Sequence, residues 1–393
     1  MNPSSIRIGA IGCGQFMSQQ HIQTIARSEN LVLQHLADID QGRLTAVSHH
    51  YQPVRQSTRW EDVVNDPEVD IIVAGVLPKL HPQIARAAIK QGKPVYIEKP
   101  LAPTVEECLE VDRLSREHGV PLAVGFNRRF APATEVMARA FATTDQPVSV
   151  YYRIADDDRI RPPEQNWKTS DRLLTETVHI FDLLSFLLKA EPIEIYVRET
   201  RPNDALVTLE FANGSRATVF SSSHASLAQP KEHAEAALGD GRFFEMDDYV
   251  ELRSYGLPDF DPVTTFAGRP YDRCDNRHVT AYAAHGLTAL TEQRRFYETA
   301  MRESGVLADS SDLKARANAR ERLGNPPPPQ INYAPDKGWG KALEHFCTAV
   351  ATGQTPQNAT GCDGNRATAC ALAARQSINS GQPVRLDPTL WQS

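Results

Sequence analysis

With 393 residues the chain is too long for one ordinary hydrophobic core, and the usual size of domains suggests about two or three units, two being the expectation. Its formal net charge of −7, with no basic run and no basic residues interleaved with aromatics, excludes the electrostatic footprint of nucleic-acid binding and points to a small ligand. Cys13, Cys108, Cys274, Cys347, Cys362 and Cys370 form no Cys-x-x-Cys pair or metal-like spacing, so they read as reduced thiols of a cytoplasmic protein without zinc or a disulfide framework.

A first strand starting at about Ile6 leaves no room for a signal peptide, and no stretch reaches the roughly 18 apolar residues that span a bilayer, so no membrane association is expected. From Ile6 to Phe126 short apolar runs alternate with amphipathic stretches. Ile6 to Ile11, Leu31 to Ala37, Asp70 to Val76, Pro94 to Ile97 and Pro121 to Phe126 read as strands. Met17 to Arg27, Pro82 to Gln91 and Thr104 to His118 read as helices, the last opened by a Thr104-x-x-Glu107 capping box. That rhythm predicts an α/β unit, a doubly wound parallel sheet over residues 1–126.

The pattern changes beyond about Pro147. Val148 to Ile154, Ile193 to Arg198, Ala205 to Phe211 and Ser215 to Ser221 alternate at period two, and Asn213-Gly214 joins the last two as a hairpin. Residues 127–393 therefore read as an α+β domain with a predominantly antiparallel open sheet. Leu173 to Leu188 is its main helix, apolar on nearly all sides and hence mostly buried. The 258–335 stretch reads as an inserted segment of unassigned role, with charged helices at Ala281 to Arg302 and Leu313 to Leu323 and a stiff spacer at Pro326 to Pro329. Amphipathic helices at Gly340 to Thr352 and Asn365 to Asn379 are expected to pack back on the body, and no internal repeat is found.

Gly12-Cys13-Gly14 follows a strand and precedes a helix, the context of a dinucleotide turn: glycine permits the tight bend, and the helix N-terminus offers free N–H groups to phosphate. Met17 occupies the third position of G-x-G-x-x-G, so close helix-to-strand packing must be managed differently. Asp38 ends the second strand near the spacing at which an acid reaches a ribose 2'-hydroxyl, which favours NAD over NADP, although Arg43 is close by. The plainer reading of Asp38 is a strand-end turn residue.

Glu98-Lys99-Pro100 ends a buried strand at the edge where open α/β sheets bind ligands. An ammonium has an ordinary pKa of about 10.4, but burial beside a cationic nicotinamide moves it toward the range of about 7 to 8 that suits a base. Lys99 is thus a candidate to take a hydroxyl proton while hydride leaves the adjacent carbon; the plainer reading is a strand-end lysine paired with Glu98. On the buried helix, Glu176, His179 and Asp182 recur every third residue, so His179 can sit between two carboxylates. His179 reads as a hydrogen-bond partner to substrate or second proton carrier, against the alternative of a satisfied core histidine. Glu176 stands evenly between the two roles, Asp182 reads as structural, and one helix of His and carboxylates is too little for a metal, so none is expected.

Together these residues resemble the glucose-fructose oxidoreductase, inositol dehydrogenase and rhizopine-catabolism family, written Gfo/Idh/MocA. The resemblance runs through Ile8 to Gly14, Asp38, Pro78 with His81, Glu98-Lys99-Pro100-Leu101, Gly125 to Phe130 and Glu176-x-x-His179-x-x-Asp182. It implies a Rossmann domain binding NAD(P), a C-terminal domain whose open sheet often makes oligomer contacts, and Lys99 and His179, with Glu176, in the reacting centre. It further implies cofactor contacts from Gly12, Cys13, Gly14, Gln15, Phe16, Asp38, Leu77, His81, Glu98, Lys99 and Asn127, and substrate contacts from Lys99, Arg128, Arg172 and His179. Many members carry Asp four residues before the active-site histidine, where this chain has Thr175. A subgroup with Gly-Glu-x-x-His-x-x-Asp is more similar, also at Pro230-Lys231-Glu232 and Asp247-Asp248, but its glycines before Arg172 are replaced here by Thr169, Ser170 and Asp171.

The leading expectation is a cytoplasmic NAD-dependent oxidoreductase acting on a secondary hydroxyl of a sugar, inositol or sugar derivative, assembled as a dimer or tetramer. The alternative is an NAD-requiring glycosidase that oxidises, eliminates, adds water and reduces, using the same lysine and histidine. Arg128, Arg129, Arg153, Arg159, Arg161 and Arg172 raise an anionic sugar as substrate, against a plainer reading of solvated surface arginines. A non-catalytic nucleotide sensor is the third reading, which the presence of two proton carriers disfavours.

Overall fold

Residues 5–160, 171–268, 286–307, 313–323 and 335–391 are described in the computed structural model of the chain. In the N-terminal part, β1 (Ile6–Ile11), β2 (Leu31–Ala37), β3 (Arg55–Ser57), β4 (Ile71–Ala74), β5 (Val95–Ile97) and β6 (Leu122–Val124) form a sheet in the order β3-β2-β1-β4-β5-β6. Each neighbouring pair is parallel. Every residue of β4 and β5 is buried, which is why these strands read as continuous apolar runs rather than alternations. The direction of strand succession reverses between β1 and β4, so their carboxyl ends flank a crevice at the switch point.

β1 and β2 have the predicted bounds, and β4 to β6 are shorter than their apolar runs. The periodicity does not reveal β3, a three-residue edge strand without a buried residue, or the helix Gln41–Tyr51, which buries only Leu44 and Val47. That helix is set by its cap instead: the Asp40 carboxylate accepts the N–H groups of Gly42 and Arg43.

A nine-stranded mixed sheet follows, built from β7 (Ser149–Ala155), β8 (Pro192–Arg201), β9 (Asp204–Phe211), β10 (Arg216–Ser222), β11 (Glu232–Gly239), β12 (Arg242–Asp247), β13 (Glu251–Tyr255), β14 (Val263–Thr265) and β15 (Val384–Arg385). Its order is β14-β13-β12-β11-β7-β10-β9-β8-β15. Only β7 and β10 run parallel; the other pairs are antiparallel. The Asn213-Gly214 hairpin joins β9 to β10 as predicted, with Gly214 at φ +83°. β11 to β14 escape the sequence reading because β11 is made largely of Glu and Ala, helix formers whose burial nevertheless alternates at period two.

Within the 258–335 stretch, Gly286–Glu303 and Leu313–Leu323 are helical, while the Pro326 to Pro329 spacer lies outside the described residues. The chain then returns to the N-terminal part. The helix Trp339–Ala351 sets Phe346 edge-on to Tyr96, with ring centroids 5.9 Å apart. The helix Gly361–Ser380 opens with a Thr360/Asp363 capping box and packs against both β8 and the helix Val105–His118, so it lies between the two sheets. No helix among the described residues is long and apolar enough to cross a membrane.

Candidate active site

After β1 the chain turns through Gly12-Cys13-Gly14 into a continuous helical run, Gln15–Met17, a π turn at Ser18–Ile22, then Gln23–Arg27. Gly12 has φ +105°, and a Cβ there would lie 2.4 Å from the Gly75 carbonyl oxygen, so only glycine fits between the ends of β1 and β4. At Gly14 an added Cβ would meet nothing within 4 Å, so the turn faces open space, into which the first helical N–H groups are free to donate. The cradle fits a pyrophosphate. Met17, where the family fingerprint has its third glycine, fills the space that a Gly75 side chain would occupy, 2.5 Å from a Cβ built there. The small residue needed for close packing has moved from helix to strand.

The Asp38 carboxylate at the end of β2 accepts the Cys13 N–H at 2.5 Å and the Asp40 N–H at 2.8 Å. It therefore braces the glycine turn and its own strand-end turn at once, and remains half-exposed toward the crevice. Arg43 is turned to Asp40 at 3.4 Å. Gln15, Phe16 and Leu77 are at least partly exposed around the turn, and Phe16 meets the Trp339 ring edge-on at 6.2 Å.

Lys99 follows the end of β5, half-buried, and its ammonium donates to the Thr175 carbonyl at 2.5 Å. Beneath it Glu98, 5 % exposed, accepts from His21 Nε2 at 2.7 Å and from the Lys99 N–H at 3.3 Å. His81, 1 % exposed, hydrogen-bonds the Pro100 carbonyl through Nδ1 at 2.7 Å, and burial pushes its imidazole below the ordinary range. Asn127 is fully buried and donates to the Lys337 carbonyl at 2.7 Å. Glu98, His81 and Asn127, which the resemblance implies as cofactor contacts, brace the loops at the strand ends through these bonds, while His81 Nε2 and Asn127 Oδ1 have no hydrogen-bond partner among the described residues.

Thr175 belongs to a π turn, Leu173–Thr177, that leads directly into the α-helix Val178–Leu188. The wider turn takes the ladder out of α register just before His179, a device common at functional sites, and the Thr175 carbonyl meets Lys99 there. The His179 ring is buried, stands edge-on to Phe126 at 5.9 Å, and leaves Nδ1 without a hydrogen-bond partner among the described residues. Burial, then the charges of Arg128 and Lys99, hold its pKa well below the ordinary imidazole value, so the ring is neutral. Glu176 accepts from Lys231 at 3.0 Å.

Asp182 corrects the picture of a histidine between two acids. Its carboxylate takes both arms of Arg129, at 2.5 and 2.8 Å, and Arg129 also reaches Asp363 at 3.0 Å. Steps of three residues rotate the side chain by about 60°, so Glu176 and Asp182 diverge by about 120° around the axis, and the π turn widens the offset.

Arg128 and Arg172, implied as substrate contacts, are both buried in internal ion pairs. Arg128 is bidentate to Glu232 at 2.8 and 2.7 Å. Arg172 binds Asp156 at 2.6 Å, Ser221 at 3.1 Å and the Ile154 carbonyl at 3.1 Å. Arg129 serves Asp182, Arg153 donates to the Pro230 carbonyl and Arg159 is paired with Asp157; Arg161 lies outside the described residues. Residues that sequence reasoning missed are His21, Asp156 and the Thr175 carbonyl; Lys231 was visible only as part of Pro230-Lys231-Glu232.

A six-stranded parallel sheet with a glycine turn at its switch point and an acid at the end of β2 defines a dinucleotide-binding Rossmann unit. Residues 6–126 match the model of an oxidoreductase family with an NAD-binding Rossmann fold, Gfo/Idh/MocA, which makes NAD the dinucleotide this unit is suited to bind. The chain is 30 % identical to the inositol 2-dehydrogenase of Acidothermus cellulolyticus over 203 residues, 51 % of this chain and 58 % of that one. It is 24 % identical to the scyllo-inositol 2-dehydrogenase (NAD(+)) of Bacillus subtilis over 307 residues, 72 % of this chain and 88 % of that one. Among solved structures, levoglucosan dehydrogenase in complex with NADH and L-sorbose shares the fold, with a TM-score of 0.72 and 17 % identity over 98 % of this chain and 99 % of that one.

Proposed function

We propose that the chain is an NAD-dependent dehydrogenase that oxidises a secondary hydroxyl of a sugar, inositol or sugar derivative, with Lys99 and His179 as its proton-transfer residues. The reading extends to a dinucleotide domain up to residue 126, a substrate domain from 127 onward, and a homo-oligomeric cytoplasmic enzyme. One observation carries it: the Lys99 ammonium, at the ligand-binding edge of the parallel sheet, is bonded to the carbonyl of the turn that delivers His179 from the second sheet's side. The names of the relatives, inositol dehydrogenases and a levoglucosan dehydrogenase, support the substrate class.

Bound NAD supplies the hydride acceptor. The chain's own share is positioning and proton management. Lys99 holds the reacting hydroxyl and, in its neutral amine form, takes the hydroxyl proton at Nζ as hydride leaves the adjacent carbon for NAD. His179, neutral, offers one ring nitrogen as donor and the other as acceptor to a hydroxyl. Glu98 and His81 fix the loop that carries Lys99 from below, and Phe126 holds the imidazole edge.

The test is incubation of the protein with NAD and a panel of sugars, inositols and aryl glycosides, following nicotinamide absorbance and released aglycone together. Net NADH from a polyol or sugar is expected. Aglycone release without net NADH would make the protein a redox-cycling glycosidase and overturn the dehydrogenase reading.

A further inference from the structure

A chain of alternating charges runs from the ends of β7 and β10, in the middle of the second sheet, to the His179 helix. Arg172 is locked by Ser221 and the Ile154 carbonyl and binds one Asp156 oxygen at 2.6 Å. The other Asp156 oxygen lies 2.9 Å from Lys231 Nζ, which reaches Glu176 at 3.0 Å. The Lys231 backbone is itself pinned, its carbonyl accepting the Ala155 N–H at 2.9 Å. The Lys231 main chain is thus held by the last residue of β7 and its ammonium by the residue after that strand, from where it also reaches the helix. The side chains of Lys231, Glu176 and Asp156 are 21, 13 and 7 % exposed, so their charges act with little screening from water.

Glu176 stands one turn before His179 on the same helix, next to the Thr175 carbonyl that receives Lys99. The Lys231 ammonium is an ion-pair partner that holds this acid. We propose that Lys231 is a positioning residue of the reacting centre: spanning Asp156 and Glu176, it fixes the Glu176 carboxylate beside His179 and adds a third cation, with Lys99 and Arg128, to the surroundings of the imidazole. This rests on the dehydrogenase reading of the same site. The charged groups facing His179 are Lys99 from the loop after β5, Arg128 from the turn after β6, Lys231 from the start of β11 and Glu176 from its own helix; Phe126 supplies the apolar edge. Lys99, Arg128 and Lys231 disfavour the imidazolium and Glu176 favours it, so removing Lys231 leaves a more basic His179 and an acid without its fixed partner.

Lys231→Met in the full chain tests this, because it keeps most of the aliphatic stem and removes the charge. Nuclear magnetic resonance titration of the His179 ring is expected to show protonation beginning at higher pH than in the wild type. With any substrate found for the wild type, kcat is expected to fall about tenfold to a hundredfold while NAD affinity is unchanged, as for a displaced catalytic group. Lys231→Arg should restore most of both. Lys231→Gln gives the same reading should the Met variant not fold. An unaltered His179 titration would overturn the proposal, as would a wild-type kcat with any substrate found. The two failures separate cleanly: a wild type that makes no NADH from any polyol refutes the dehydrogenase reading, whereas the titration judges Lys231 without turnover.

Discussion

At the scale of single residues, the proposed chemistry narrows to an amine and a neutral imidazole. Lys99→Ala is expected to lower the rate of hydroxyl oxidation by about 10² to 10⁴-fold while NAD still binds, measured by turnover and by cofactor titration. Because burial lowers the His179 pKa, its protonation marks an acid limb that lies below the ordinary imidazole value of about 6.5, so activity persists through that pH and falls only on further acidification. A limb centred at or above that value would contradict a buried, cation-flanked ring. Asp38→Ala is expected to raise KM for NAD and reduce the preference over NADP, since the acid that repels a 2'-phosphate is gone. Lys99, His179 and Asp38 were legible in the sequence because each marks a strand end or stands out on an apolar helix. The partner of Arg128 was not, because Glu232 lies 104 residues away and no local pattern announces it. A backbone acceptor such as the Thr175 carbonyl leaves no residue signature at all.

Elements explain how those residues are brought within reach. Apolar rhythm revealed the parallel strands and the Leu173 to Leu188 helix, yet not the π turn at its start, which depends on local hydrogen bonding rather than residue type. The crossing of the 335–338 segment over Asn127–Phe130 was equally hidden. There Gly338 has φ +84°, and a Cβ would lie 2.4 Å from the Phe130 carbonyl carbon. Gly338→Ala therefore combines backbone strain with a clash against main chain, and should cost about 2 to 4 kcal/mol in denaturant unfolding. A loss below about 0.5 kcal/mol would mean that the segment yields easily and does not fix Asn127.

For the whole molecule, the buried charges make stability depend on pH. Burial lowers the His81 and His179 pKa values below those of the unfolded chain, so below about pH 6.5 the unfolded state binds protons that the native state refuses, and stability falls with acidification. Burial alone would raise the Glu232 pKa, but Arg128 and Lys337 outweigh it and hold the carboxyl well below its usual range, so its contribution is present near neutrality and lost as pH falls below about 4.5. His233, raised chiefly by its bond to Asp247, works in the opposite direction as pH rises. The unfolding midpoint at about pH 5 should accordingly lie below that at about pH 7.5; equal midpoints would contradict a net destabilisation by the two buried imidazoles. The central claim, an amine and an imidazole converging on bound nicotinamide, meets its most direct test in single-turnover reduction of NAD by the Lys99→Ala variant with and without a small primary amine. The account predicts bound NAD, an almost abolished burst of NADH and partial restoration by the amine. A burst at the wild-type rate without amine would contradict it.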